Sequence, residues 1–205
     1  MGRNKVTLNK PRYVGTAVLG LSKEIMYDFH YNYMMKDYPN AKLLFTDTDS
    51  FCYKIEADRD IYKDIKGNDR YDFSNYLELH TNFDDSKQLI PGYFKDEFGG
   101  KFLLEFVGLR AKMYSILPLE GGKKATAKGI NRNIKDEIIT HNDYKNSLFN
   151  KEQMTHKMTS IQQESHQIFT MEIEKKSLNP FNDKKWITRD GDNFISYSYG
   201  HYKIK

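Results

Sequence analysis

The chain has 205 residues, of which 39% are hydrophobic, 14% aromatic and 29% charged, with a formal net charge of +4. That length allows one domain or two small ones with a real core, and 15 Tyr and 13 Phe argue against disorder. The single Cys52 excludes an intrachain disulfide and a multi-cysteine metal knuckle, and no apolar run approaches membrane-spanning length.

The opening MGRNKVTLNK lacks an apolar signal core, and Val6 breaks the myristoylation pattern, so a soluble intracellular chain with no membrane partner is expected. Residues 14 to 38 predict a helix, because Val14, Val18, Leu21, Ile25, Phe29 and Tyr33 recur at three-to-four spacing. Pro11 precedes it and Pro39-Asn40 stop it, with His30 placed opposite the stripe. AKLLF and SFCYKIEA then predict two strands, the second alternating at Phe51, Tyr53 and Ile55, so TDTD lies at a hairpin tip. Residues 58 to 66 predict a short helix, and 67 to 92 a looped segment. KFLLEFVGLRAKMYSILPL, 101 to 119, predicts a second hairpin broken near Gly108. A basic, Gly-containing turn follows over 121 to 133.

From 134 to about 170 the pattern predicts helices, with Asn142 or Asp143 as a cap. The tail predicts a hairpin around Asp190-Gly191. The expected class is α+β: a mixed part over residues 1 to 120, then a mostly helical part over 121 to 205.

Asp47 and Asp49, one residue apart between apolar strands, repel each other, and apolar flanks make each charge harder to hold. A hard divalent cation relieves that repulsion, and magnesium takes one or two carboxylates together with substrate phosphates. The plainer alternative is a solvated turn, where Asp and Thr are ordinary residues. Lys112 and Tyr114, two apart on a predicted strand, would share a face suited to a phosphate–sugar backbone. Lys123, Lys124, Lys128 and Arg132 add a basic loop whose Gly129 lets backbone approach a ligand. The plainer alternative there is a solvated Lys and a half-buried Tyr. The six histidines show no zinc spacing and carry no assigned chemistry, and Cys52 reads as a small buried hydrophobe.

The order of these parts resembles the C-terminal palm and thumb of family B DNA polymerases. The protein-primed type of viruses, linear plasmids and self-synthesising transposons is nearest in flavour. FTDTDS matches the third palm motif, usually Tyr-Gly-Asp-Thr-Asp-Ser, and KMY matches the Lys-x-Tyr motif that contacts the primer end. NKPRYVG, YDFHYNY, EFVGLRAKMYS and YGHYKI resemble the transposon branch. Phe45 and Thr46 stand where the family has Tyr and Gly.

The resemblance implies an antiparallel-sheet palm over 1 to 120, a thumb-like part over 121 to 205, and two-metal phosphoryl transfer with Mg2+ or Mn2+. It makes Asp49 the main metal ligand and Asp47 a weaker one, with Thr48 shaping the turn and Lys112 and Tyr114 on the primer. The implied partners are a DNA primer–template, deoxynucleoside triphosphates and a terminal protein primer. A transposon origin would imply nuclear residence. The family's first palm motif, with its essential Asp, and the second, with a nucleotide-binding Lys, are not found in residues 1 to 40. Asp28 lies in MYDFHY, not in Asp-x-x-Ser-Leu-Tyr-Pro. A portion of a longer polymerase, or a degenerate reading frame inactive alone, is therefore expected. Two other classes stay open. One is an Asp-x-Asp phosphatase with a nucleophilic first Asp, a parallel sheet and a helix after the aspartates. The other is a DNA-binding remnant without chemistry.

Overall fold

The computed structural model describes residues 9–181, 185–190, 193–198 and 201–202. The chain combines helices with antiparallel sheets, an α+β fold divided into two compact units. The first is Met1–Leu104 with Pro118–Gly121, and the second is Glu105–Leu117 with Gly122–Lys205.

In the first unit, α1 (Arg12–Tyr27), a π-helical stretch (Asp28–Met34) and α2 (Met35–Asp37) follow one another without a break. The expected apolar stripe divides. Phe29 and Tyr33 are buried, whereas Val14, Val18, Leu21 and Ile25 stand 46%, 59%, 61% and 42% exposed. The π stretch begins after the four exposed residues and carries Phe29 and Tyr33 of the stripe into the core. It also brings His30 inward. Instead of lying opposite the buried face, His30 is half-buried, with Nδ1 2.8 Å from the Tyr53 hydroxyl.

Two strands, β1 (Lys42–Asp47) and β2 (Ser50–Lys54), form the antiparallel hairpin expected around TDTD. Its anchor is aromatic. The Phe29 ring stacks on Phe94 at 3.9 Å and on Phe51 at 6.1 Å, with Tyr71 set edge-on at 5.9 Å. Tyr33, Tyr38 and Met34 complete this core. β2 is seated in the core more deeply than β1, whose Leu43 and Leu44 face outward beside an irregularity between Leu43 and Phe45. Cys52 is buried on β2, and burial pushes its thiol up to about 11.

Next come α3 (Ile61–Lys66), capped by the Asp60 carboxylate accepting from the Tyr62 N–H, and a short parallel pair, β3 (Tyr71–Asp72) and β4 (Phe94–Lys95). The segment between them is looped, as expected, and held by side-chain turns. Asp72 accepts from the Ser74 N–H at 2.8 Å, and Asp84 from the Ser86 N–H at 2.9 Å. Ile65, Phe73 and Tyr76 give it a small core of its own.

In the second unit, β5 (Leu103–Arg110), β6 (Met113–Pro118) and β7 (Lys124–Ala127) make a three-stranded sheet. β5 runs through Gly108, and the break falls at Ala111-Lys112 instead. A short π-helical stretch (Ile134–Ile138) leads to α4 (His141–Asn150). Its cap is Thr140 in a capping box with Asp143, not Asn142 or Asp143 itself.

The mostly helical second part is contradicted. Residues 154–178 are a long antiparallel ribbon, β8 (Met154–Glu164) and β9 (Gln167–Leu178), paired from Thr155↔Lys176 to Glu164↔Gln167. The Gln, Glu and Met of this segment favour helix by propensity, but period-two burial at Met154, His156 and Met158 decides for strand. Ser165 and His166, at φ 47° and 66°, close the ribbon as both central residues of a tight hairpin turn do. Leu178, Met158, Ile139, Tyr144, Met113 and Val107 form the unit's core. β10 (Lys185–Asp190) and β11 (Asn193–Ser198) pair as a hairpin, and the Gly191 turn itself lies outside the described residues.

Phe29→Ala should destabilise the first unit by about 3–5 kcal/mol in urea unfolding, whereas Val18→Ala should change stability by about 0.5 kcal/mol or less. Cys52 should resist a thiol reagent at about pH 8 in the folded protein and react at once in urea.

Candidate metal-binding tip and basic face

The hairpin tip is built on a two-residue connection, since Asp47 pairs with Ser50. Thr48 sits between them at φ 60°, a left-handed conformation that a β-branched residue rarely adopts. The Asp49 N–H donates to the Asp47 carbonyl at 2.7 Å, and the Ser50 hydroxyl donates to the same oxygen at 3.2 Å. The Thr48 hydroxyl lies 3.4 Å from Asp47 Oδ1, a weak donor contact. Asp47 is half-buried and Asp49 exposed.

Both carboxylates are thus carried on one tight turn, with β2 anchored below through Phe51, Cys52 and Tyr53. Hard oxygen donors in this number suit one magnesium-type cation that keeps water or phosphate as its other ligands. They do not make a closed cage: among the described residues no group of three or more His, Cys, Asp or Glu is placed to hold a metal.

The Lys-x-Tyr pair lies in the second unit and differs from expectation. Lys112 is not on a strand. It occupies the β5–β6 turn at φ 56°, exposed, and its carbonyl accepts the Lys128 N–H at 3.0 Å. Tyr114 lies on β6, half-buried, with its ring 6.0 Å from Phe106 and Thr126 opposite it on β7. The two therefore do not share a strand face.

Of the basic loop, Lys123 donates to the Asp136 carbonyl at 2.9 Å, and Arg132 pairs with the Asp136 carboxylate at 3.2 Å. Lys124 begins β7 opposite Ile116, and Lys128 is exposed beside Gly129. The structure joins Lys112 to Lys128 through their backbones and ties Lys123 and Arg132 to one aspartate. The sequence pattern showed only their proximity along the chain.

One polar network had no sequence signal, because its members lie 26 to 40 positions apart. Ser115 Oγ is 2.8 Å from His141 Nδ1, His141 Nε2 is 3.2 Å from Glu105, and Lys145 reaches Glu105 at 2.8 Å. Ser, His and Glu in this order are the parts of a hydrolytic triad. Ser115 is fully buried at 0% exposure, so no acyl substrate reaches it. The network instead pins the start of α4 to β5 and β6. The Lys145 hydrogen bond, against burial, holds the Glu105 carboxyl below its ordinary 4.5, with His141 adding to the effect.

No family model matches the chain, and no curated protein or solved structure matches it. No helix among the described residues is long and apolar enough to cross a membrane.

Replacing Thr48 by Gly should raise stability by about 1 kcal/mol in urea unfolding, because Gly adopts the left-handed conformation without the Cβ conflict. A lowered folded pKa at Glu105 gives stability that is present above its unfolded value and lost as pH falls through the folded one. Lys145→Met should therefore flatten the acid side of the stability–pH curve below about pH 4.5 and leave its neutral limb parallel to that of the unaltered chain.

Proposed function

We propose that this chain is a metal-binding and DNA-binding portion of a family B DNA polymerase, serving template-directed nucleotidyl transfer within a larger catalytic assembly. The observation that carries the reading is the Asp47-Thr48-Asp49 tip: two carboxylates on one turn, with Thr48 at φ 60° between them. Left-handed β-branched residues cost about 1–3 kcal/mol and recur where function fixes the backbone.

On this reading the first unit is palm-like, with Asp49 as the principal carboxylate ligand to Mg2+ or Mn2+ and Asp47 as the lesser one. A bound cation would supply charge neutralisation on the transferring phosphate. The residues' own work is positional. Phe51 and Tyr53 hold β2 in the core, the Ser50 hydroxyl and Asp49 N–H fix the Asp47 carbonyl, and Asp49 is presented to solvent. The second unit takes the thumb-like role and contributes Lys112, Tyr114, Lys123, Lys124, Lys128 and Arg132 toward a DNA primer–template. The deoxynucleoside triphosphate site and a terminal protein primer belong to the same proposal. Two-metal transfer takes further carboxylates beyond Asp47 and Asp49, so the chain by itself should bind and not extend.

The Asp-x-Asp phosphatase reading fits the hairpin poorly. It needs a helix after the aspartates and a parallel sheet around them, whereas β2 returns antiparallel directly from Ser50. The remnant reading shares the DNA-binding half and differs at the metal.

In calorimetric titration with Mn2+, the unaltered chain should bind and Asp49→Asn should lose most of the heat. An unchanged titration would make the aspartates ordinary turn residues and favour the remnant. Binding to primer–template DNA should weaken steeply between about 50 and 200 mM salt. Absent or salt-insensitive binding would defeat the DNA-binding half, and robust primer extension by these residues alone would refute the need for a larger assembly.

A further inference from the structure

The turn after β7 has a partner on the ribbon. The Ile130 N–H closes the turn on the Ala127 carbonyl at 3.1 Å, and Gly129 occupies its third position at φ 86°, as a type II turn requires. Its first central residue, Lys128, is tied through its N–H to the Lys112 carbonyl, and Asn131 Nδ2 donates to the Thr159 carbonyl at 3.0 Å. The turn is thus pinned on both sides, to the β5–β6 turn and to β8.

Across it comes Lys175 of β9. A Cβ at Gly129 would lie 2.7 Å from Lys175 Nζ and 3.4 Å from its Cε, so the ammonium rests directly on the glycine. Lys175 pairs with His156 and belongs to the same ribbon face as Met158 and Ile173, the face that packs on the core. It is nonetheless exposed. Its neighbour Lys176 pairs with Thr155 and points to the opposite face. No ion pair engages Lys128 or Lys175 among the described residues, while the nearby Asp136 carboxylate is taken by Arg132 and Lys135.

We propose that this turn is a phosphate site for the DNA backbone, formed by Lys128 and Lys175 around Gly129, whose φ of 86° leaves the turn without a side chain under the Lys175 ammonium. Lys128 is exposed next to Gly129 in the turn, and the Lys175 ammonium from the ribbon lies over that glycine, so two basic residues from separate elements meet at one turn. A backbone phosphate can therefore approach main chain and both lysines together. The inference rests on the DNA-binding half of the proposed function and adds Lys175, which lies outside the basic loop in sequence.

The test is fluorescence anisotropy of a labelled primer–template duplex over a salt series, with Lys175→Gln, Lys128→Gln and Lys176→Gln. One lost phosphate contact lowers the slope of log affinity against log salt by about 0.9. Lys175→Gln and Lys128→Gln should each show that loss, so that their affinity falls about 3.5-fold less than that of the unaltered chain between about 50 and 200 mM salt. Lys176→Gln should keep the full slope. If Lys175→Gln and Lys176→Gln are indistinguishable, the site is overturned and the DNA-binding reading stands on diffuse charge. If the unaltered chain fails to bind, the reading beneath falls and the site falls with it.

Discussion

Two carboxylates one residue apart on a two-residue turn repel each other, and whatever holds Asp47 and Asp49 there works against that repulsion. The restraint comes from below the tip. Phe29 stacks on Phe94 and Phe51, His30 meets the Tyr53 hydroxyl, and Cys52 is buried on the other face of β2 from Phe51 and Tyr53. β2 is therefore fixed along its length, and the turn cannot relax by sliding the register, because a one-residue slip would turn Phe51 and Tyr53 out of the core. The turn closes with Thr48 at φ 60°, its hydroxyl reaching Asp47 Oδ1. On the proposed reading, a divalent cation bound at the tip would offset the repulsion.

The second unit is organised on a different principle. Its core combines Val107, Met113, Ala125, Ile134, Tyr144, Met158 and Leu178 from successive elements between β5 and β9, and several of its buried polar groups are bound to one another. Ser115, His141, Glu105 and Lys145 form one chain of contacts, and His156 and Ser177 form a second at 2.8 Å. These networks look chemical on a residue list. Full burial of Ser115 and Ser177 makes them structural, since buried polar groups must find partners and these have found each other. Several basic side chains, by contrast, among them Lys112, Lys128, Lys175 and Lys176, are exposed.

Much of the first unit was legible because its signals are short-range. Period-two alternation at Phe51, Tyr53 and Ile55 marked β2, and two prolines bracketed the helix. The stripe through Val14 and Ile25 misled about burial, because periodicity reports a face and not what covers it. The π stretch, which no residue pattern announced, turned His30 inward. In the second unit the ribbon was missed because Gln, Glu and Met favour helix locally, while the deciding contacts join residues up to 24 positions apart. Lys112 was placed on a strand for a related reason: Gly108 looked like the break, but the chain turns three to four residues later, where Lys112 adopts φ 56°. The aspartate tip was read directly, since a turn between two strands is a local event. Lys175 was out of reach because its position over Gly129 depends on the ribbon.

The central claim is that the Asp47–Asp49 tip holds a divalent cation, and site-resolved paramagnetic broadening tests it most directly. Substoichiometric Mn2+ added to the isotopically labelled protein should broaden the amide signals of Asp47 to Ser50 first, and Mg2+ in excess should restore them. Broadening spread evenly over the exposed carboxylates, or none at the tip, would contradict the claim.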